Sequence, residues 1–462
     1  MSDPAAGAPI ATAGAGGAGA GARGRPLLGG VTDARVVAAD VLADIRGGEL
    51  LDPVFDRRAR ILDPRDRRWT QELLWGMLRR RGWLDAILAD RVRGGLARLD
   101  PDLGDLLRLG VHQLLYMGSV PAYAAIAQTV ELAKRRHGLG ASKLANAVLR
   151  RVDRDRDDLR VVIPADPIDS LAIRHSHPRW VVARWVERWG VAETERLLLA
   201  NNEEASVFAR PMGVTRDALA ATLSAAGVEV EPAPLVDDGL RLGGLAALTE
   251  LGAYRQGQFF VQDPAATLVT RYADLPAGAV VADLCAAPGG KALELAREAR
   301  IVVAADRSAA RLRRVAANAE RLGVTNLFPV VGDGRDPVVR DVDAVLLDVP
   351  CTGTGTFRRH PDARWRLRVS DLAVMGALQR ELLRGGSAAV RPGGLLIYST
   401  CSLEPEENEM QVERFLADHP DWTLEPPATP LPAGTVVGGM LHVLPHEHGA
   451  DGAFAARLRR SS

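Results

Sequence analysis

From residue 263 onward this 462-residue chain changes character. Short apolar runs (Val280–Cys285, Ile301–Ala305, Leu327–Val331, Ala344–Leu347 and Gly394–Tyr398) alternate with helix-compatible stretches such as 290–299 and 308–322. Near-continuous apolar strands separated by helices predict a parallel sheet covered on both faces. The expectation is a doubly wound α/β domain over 263–462. Ligands of such a sheet bind outside the carboxyl ends of its strands. The residues that close each run are therefore the first place to look for function.

The preceding chain reads differently. Residues 31–160 look all-helical. Thr32 is placed to cap a helix with Val37, Val41 and Ile45 on one stripe. Asp102 or a neighbour opens another, with Leu103, Leu106, Leu107, Val111 and Leu114 at helical spacing. Ser142 precedes Leu144, Ala147 and Val148 in a helix that ends in Arg150-Arg151, and residues 153–158 form a charge-dense linker. These stripes imply the core of a helical bundle. Residues 161–262 mix helical segments around 178–201 and 216–226 with strand-like runs at 205–209, 227–231 and 257–262, a small α+β linking region. Residues 1–30, rich in Ala and Gly, have neither the basic start nor the apolar centre of a signal peptide. They read as a disordered tail.

Composition narrows the partners only slightly. Formal net charge is zero. Residues 31–160 hold 24 Arg and Lys against 19 Asp and Glu, a small excess suited to an anionic partner. Three cysteines with no CxxC spacing build neither a disulfide framework nor a zinc site, so no metal is expected and a reducing cytoplasm fits. No run is long and apolar enough to span a membrane.

The first strand-like run leads into Asp283-Leu-Cys-Ala-Ala-Pro-Gly-Gly-Lys291. Gly289 and Gly290 let the backbone approach a ligand, and Cys285, Ala286, Ala287, Pro288 and Lys291 complete the candidate cofactor loop. Asp306 closes the second run, 23 residues after Asp283, the spacing at which an acid reaches ribose hydroxyls. Asp333, in Gly332-Asp-Gly-Arg335, closes the third and can accept from an adenine amino group. The loop is neither G-x-G-x-x-G nor a Walker A sequence. Acidic residues on successive strand ends suit a nucleoside without phosphates, such as S-adenosylmethionine (SAM). Helix capping is the alternative role for Asp306 and Asp333.

The cysteines cluster. All three lie within 117 residues: Cys285 in the loop, Cys351 in Leu346-Leu-Asp-Val-Pro-Cys351 after the fourth run, and Cys401 in Tyr398-Ser-Thr-Cys-Ser402 after the fifth. Cys285 inside the loop reads as a buried structural thiol, and Cys351 and Cys401 as candidate nucleophiles over the crevice. A thiolate added at C6 of cytosine makes C5 able to attack an activated methyl group, and Asp348 is placed to protonate or hydrogen-bond N3. The chemistry alone leaves open whether Cys351 or Cys401 attacks.

These motifs resemble the RsmB/Nop family of SAM-dependent RNA cytosine-5 methyltransferases. The resemblance covers about residues 32–460. It rests on Asp283–Lys291, Asp306, Gly332–Arg335, Leu346–Cys351, Arg358–Asp362 with Trp365, Ser399–Ser402, Glu404–Asn408 and Asp451–Phe454. Residues 121–134 and 144–151 are similar to NusB-type RNA-binding domains. The resemblance implies a Rossmann-like methyltransferase domain behind a NusB-like helical domain. It implies Cys401 as nucleophile, Cys351 as the thiol that assists product release, and Asp348 between the SAM and cytosine sites. It implies Cys285 through Lys291 wrapping SAM, with Asp306 on the ribose and Asp333 on the adenine. The implied substrate is 16S ribosomal RNA. The same chemistry on tRNA, or RNA binding with an idle catalytic domain, are the other readings. Arg358, Arg359 and His360 are expected to line the RNA side. One departure is Met212 in Arg210-Pro-Met-Gly213, where the family has Asn.

Overall fold

The computed structural model describes residues 31–244 and 248–462, so the tail expected at residues 1–30 lies outside the described residues. The amino-terminal part is all-helical, as expected. Helices Asp33–Arg46, Leu51–Arg58, Pro64–Arg79, Arg81–Ala89, Pro101–Tyr116 and Ala122–Arg154 enclose one apolar core that includes Val37, Val41, Leu73, Leu107, Val111 and Val148. Three details of their ends differ from the sequence reading. Thr32 sits at the N-cap position, but its hydroxyl accepts from the Arg35 guanidinium rather than from the helix backbone. Asp100, not Asp102, caps the helix that starts at Pro101, accepting from the Asp102 N–H at 2.8 Å. Ser142 lies inside a helix, because Gly138, at φ 82°, is where the chain turns between the two halves of Ala122–Arg154. That helix also runs past Arg151.

Helices Pro167–Arg174 and Arg179–Asn202 lead to a four-stranded antiparallel sheet. Its strands are β1 (Val207–Pro211), β2 (Glu229–Pro232), β3 (Leu240–Gly243) and β4 (Phe259–Val261), in the order β2-β3-β1-β4. Strand β3 was not visible in the sequence. Its register places Leu240 and Leu242 opposite Ala209 and Val207, which buries them, while Arg241 is exposed.

The carboxyl-terminal sheet has β5 (Val280–Asp283), β6 (Ile301–Asp306), β7 (Leu327–Val331), β8 (Val342–Asp348) and β9 (Val390–Thr400) in the spatial order β7-β6-β5-β8-β9, all parallel. The chain order reverses between β6-β5 and β5-β8, so the crevice opens between the ends of β5 and β8. Beyond β9 the sheet turns antiparallel with β13 (Ala453–Arg460). The far edge of β13 carries β12 (Met440–Val443) and β10 (Trp422–Leu424), and β12 pairs with β11 (Val436–Val437). Side chains alternate between two cores. Val281, Val302, Ala344 and Leu395 pack with helices Pro264–Ala273 and Ala309–Leu322. Ala282, Val345, Leu347 and Leu396 pack with helices Val369–Ala389 and Glu409–Asp418. The doubly wound expectation therefore holds. The helix expected at 290–299 is shorter, Gly290–Leu295.

Candidate active site

Parallel pairing brings the strand ends together. Asp348 lies in register with Ser399 across β8 and β9, and Asp283 pairs with Leu346 across β5 and β8. Asp348 uses both carboxylate oxygens: Lys291 Nζ donates to one at 2.7 Å and Ser399 Oγ to the other at 2.9 Å. Cys351, three residues past β8, and Cys401, one past β9, place their sulfurs 3.3 Å apart. Asp348, Lys291, Cys351 and Cys401 thus meet at one end of the sheet.

The loop after β5 bends through Gly289, at φ 110°. A Cβ there would lie 3.2 Å from both methyl groups of Val315, so glycine serves the backbone angle and the close approach together. Asp306 accepts from Ala287 N–H at 3.3 Å and from Ser308 N–H at 2.8 Å. It fastens the loop to the end of β6 but does not cap the next helix, which is capped by the Ser308 hydroxyl. Asp333 stands apart from the others. It lies beyond the end of β7, and Arg335 Nη2 holds its carboxylate at 2.7 Å. That contact keeps its pKa down at about 2. The turn that carries Asp333 still packs against the loop, since a Cβ on Gly334 would lie 3.2 Å from the Leu284 carbonyl oxygen.

The electrostatics separate the groups. Burial, reinforced by Asp348, pushes Asp283 up to about 7. Burial also raises the Cys285 thiol, with Asp283 and Asp348 adding to the effect, which keeps it protonated. Burial works against the Lys291 charge, yet Asp348, Cys401 and Asp283 hold its pKa above the ordinary lysine value. The Cys401 sulfur, as hydrogen-bond partner, and then burial push the Cys351 thiol well up. His360 is raised by Asp52, 2.9 Å from its Nδ1, and Cys401 adds to the shift. Lys291 and His360 thus both lie within electrostatic reach of Cys401, and the Cys351 sulfur is in hydrogen-bond contact with it.

The sequence reading assigned no role to Glu407, which is buried behind the two thiols. Its carboxylate accepts from Thr352 N–H at 2.9 Å, Gln379 Nε2 at 3.0 Å and Ser402 Oγ at 2.5 Å, and also from the Thr352 hydroxyl. Tyr398 OH donates to its carbonyl at 2.5 Å. Burial raises the Glu407 pKa against the pull of these donors. The only hint in the sequence was its place in the Glu404–Asn408 block.

Arg358 and Arg359 do not line an open RNA face. Arg358 is buried against Asp451, and Arg359 pairs with Asp263 at 2.5 Å and with Asp451. Both are held by internal carboxylates, and only His360 of the three is exposed. Arg210 is likewise buried, paired with Asp238 and with Glu294 at 2.6 Å.

Rossmann-like methyltransferases are the class defined by this sheet order with its glycine turn after the first parallel strand. Family models agree. The model described as 16S rRNA methyltransferase RsmB/F matches residues 274–459, the NusB family residues 32–154, and an RsmF/B-like ferredoxin-like domain residues 177–248. The probable ribosomal RNA small subunit methyltransferase B of Synechocystis is 38% identical over 93% of this chain and 99% of the relative. The ribosomal RNA small subunit methyltransferase B of Vibrio cholerae is 34% identical over 94% and 99%. The crystal structure of PH0851 superposes with a TM-score of 0.77 at 26% identity, covering 93% of this chain and 98% of that one. The chain belongs to the RsmB/F methyltransferase family.

Proposed function

We propose that this protein transfers the methyl group of SAM to C5 of a cytosine in 16S ribosomal RNA, through a covalent adduct between Cys401 and cytosine C6. The observation that carries the reading is the 3.3 Å approach of Cys351 and Cys401 beside the Lys291–Asp348 pair. The thiol pair suits the reducing cytoplasm. Among the described residues no helix is long and apolar enough to cross a membrane.

The crevice fits SAM by its chemistry. Its walls carry the carboxylates of Asp283, Asp306 and Asp348, acceptors for hydroxyl and amino groups and attractive to a sulfonium, with the wrong sign for phosphate. Cys285 through Lys291 would hold the methionine part, Asp306 the ribose and Asp333 the adenine, once Arg335 yields. When bound, SAM supplies an electrophilic methyl group with a neutral thioether as leaving group.

The protein's own residues do the rest. Cys401, flanked by Lys291 and His360, adds as thiolate to C6, and the C5=C6 electrons shift toward C5 and N3. Asp348, fixed by Lys291 and Ser399, orients the N3 and N4 edge and holds a proton there. C5 then takes the methyl group. A base removes the C5 proton, the C5=C6 bond re-forms and the bond from sulfur to C6 breaks. The Cys351 S–H, 3.3 Å away, is placed to hydrogen-bond the departing Cys401 thiolate and so ease its release. The target base must leave its stack to expose C6, so a loop or a splayed nucleotide is the substrate.

The test is methyl transfer from labelled SAM to unmodified 16S rRNA and to unmodified tRNA, with mass-spectrometric mapping of the modified base. The account predicts 5-methylcytosine in 16S rRNA. Label confined to tRNA would move the substrate and keep the chemistry. No label in either would leave an RNA-binding protein with an idle domain.

A further inference from the structure

A cavity of about 390 Å³ opens where the amino-terminal helices meet the helices of residues 167–202. That volume is in the range of small-ligand pockets. Three arginines line it, and among the described residues none of them forms a salt bridge, whereas most of the other arginines there do. Arg79 reaches only the Arg358 carbonyl at 3.4 Å, and its buried Nε has no partner. Arg80 lies over the Tyr116 ring, 4.5 Å from its centre, and reaches only the Gly76 carbonyl at 3.5 Å. Arg174 is exposed and has no partner among the described residues. Burial lowers the Arg79 pKa, and Glu204 is the carboxylate that opposes this.

The walls are built firmly. Ser176 is buried with a positive φ of 54°, a cost that persists only where surrounding structure enforces it. Its hydroxyl accepts from Trp83 N–H at 2.9 Å and its carbonyl from Arg364 Nη1 at 3.2 Å. Arg364 also donates to Asn202 Oδ1 at 2.7 Å and to the Phe357 carbonyl at 3.2 Å. The cavity is thus tied directly to the segment that follows Cys351. His112 stacks on Tyr116 at 5.4 Å, and the Arg80 guanidinium carbon lies 4.5 Å from the centre of the same ring.

We propose that this cavity binds one unstacked nucleotide of the substrate RNA, away from the target cytosine. Unpaired guanidiniums take a phosphate in bidentate fashion, and a guanidinium plane backed by a ring accepts a base. The inference rests on RNA being the substrate. It adds a second holding point, which would fix the strand while the target base enters the thiol site.

The test uses the full chain carrying Arg80→Gln, Arg174→Gln and both. Anisotropy with a fluorescein-labelled single-stranded oligouridylate gives Kd across a series of KCl concentrations. Methyl transfer to unmodified 16S rRNA gives KM and kcat. Loss of the Arg174 phosphate contact and the Arg80 stacking plane together should raise Kd and KM about tenfold and hold kcat, and loss of the phosphate contact should flatten the salt slope by about 0.7. Arg160→Gln, whose side chain is 89% exposed, is the control for diffuse charge and should change neither. Crosslinking of 4-thiouridine-containing RNA should label Trp83 or Tyr116. A double variant equal to Arg160→Gln, or crosslinks confined to other segments, overturns the proposal. A wild-type chain that neither binds nor methylates RNA overturns instead the reading beneath it.

Discussion

The carboxylate of Glu407 accepts from the Thr352 backbone N–H at 2.9 Å, one residue past Cys351. The same carboxylate takes the Ser402 hydroxyl, one residue past Cys401. One buried side chain therefore fixes both thiol loops. Glu407→Ala removes the acceptor from several buried donors at once, a cost of about 3 kcal/mol in the range of lost buried networks. The melting temperature should fall, and kcat should drop at least about tenfold below that temperature because thiol positioning loosens. Glu407→Gln keeps the shape and part of the bonding, so it should sit between. Normal kcat in folded Glu407→Ala would refute the positioning role.

Asp283 gives a pH dependence with a definite sign. Its folded pKa, raised by burial and by Asp348 to about 7, lies above its unfolded value of 3.8. Its contribution to stability is therefore full below about 4 and is lost as pH rises toward 7. A cationic ligand beside it favours the ionised form. SAM binding should then release protons near neutral pH and tighten as pH rises through about 7. Calorimetry in buffers of different ionisation enthalpy measures this release. Asp283→Asn should abolish it, and an unchanged proton count would remove Asp283 from the account.

Gly289→Ala tests the loop. Its φ of 110° and the 3.2 Å approach to Val315 leave an alanine strained by about 1–3 kcal/mol. SAM affinity should fall about tenfold or more, while RNA affinity holds. Equilibrium binding of each ligand separates the two effects.

Lys291 and Asp348 form one unit, joined at 2.7 Å in the half-buried crevice. Lys291→Met and Asp348→Asn should each lower kcat by about two orders of magnitude, the usual scale for one positioned acid–base group. The double variant should be little worse than either single one, because the pair is lost once. Additive losses would show that the two act separately.

The parts of the fold legible in sequence were those with local cause. Four of the five parallel strands are apolar because both faces are covered, while β7, at the sheet edge, leaves Phe328 and Val331 exposed, and the loop after β5 is set by its own glycines. Strand β13, Ala453-Phe-Ala-Ala-Arg-Leu-Arg-Arg460, was missed because its alanines and arginines break the usual strand pattern. Its burial comes from β9 on one side and β10 and β12 on the other. Arg358 and Arg359 read as RNA contacts because their carboxylate partners, Asp263 and Asp451, lie more than ninety residues away in sequence. Glu407 was hidden for a related reason: its role depends on Thr352 and Gln379, which the fold alone brings to it. The crevice itself was legible, since Asp348, Cys351 and Cys401 all follow strand ends.

The central claim is that Cys401 forms the bond to the base and Cys351 helps to break it. The direct measurement is the denaturation-resistant RNA adduct, resolved by gel after incubating 16S rRNA and SAM with Cys401→Ala and with Cys351→Ala. The account predicts no adduct and no methylation with Cys401→Ala, and a trapped adduct carrying the methyl group with Cys351→Ala. An adduct in Cys401→Ala, with none in Cys351→Ala, would contradict it and make Cys351 the nucleophile.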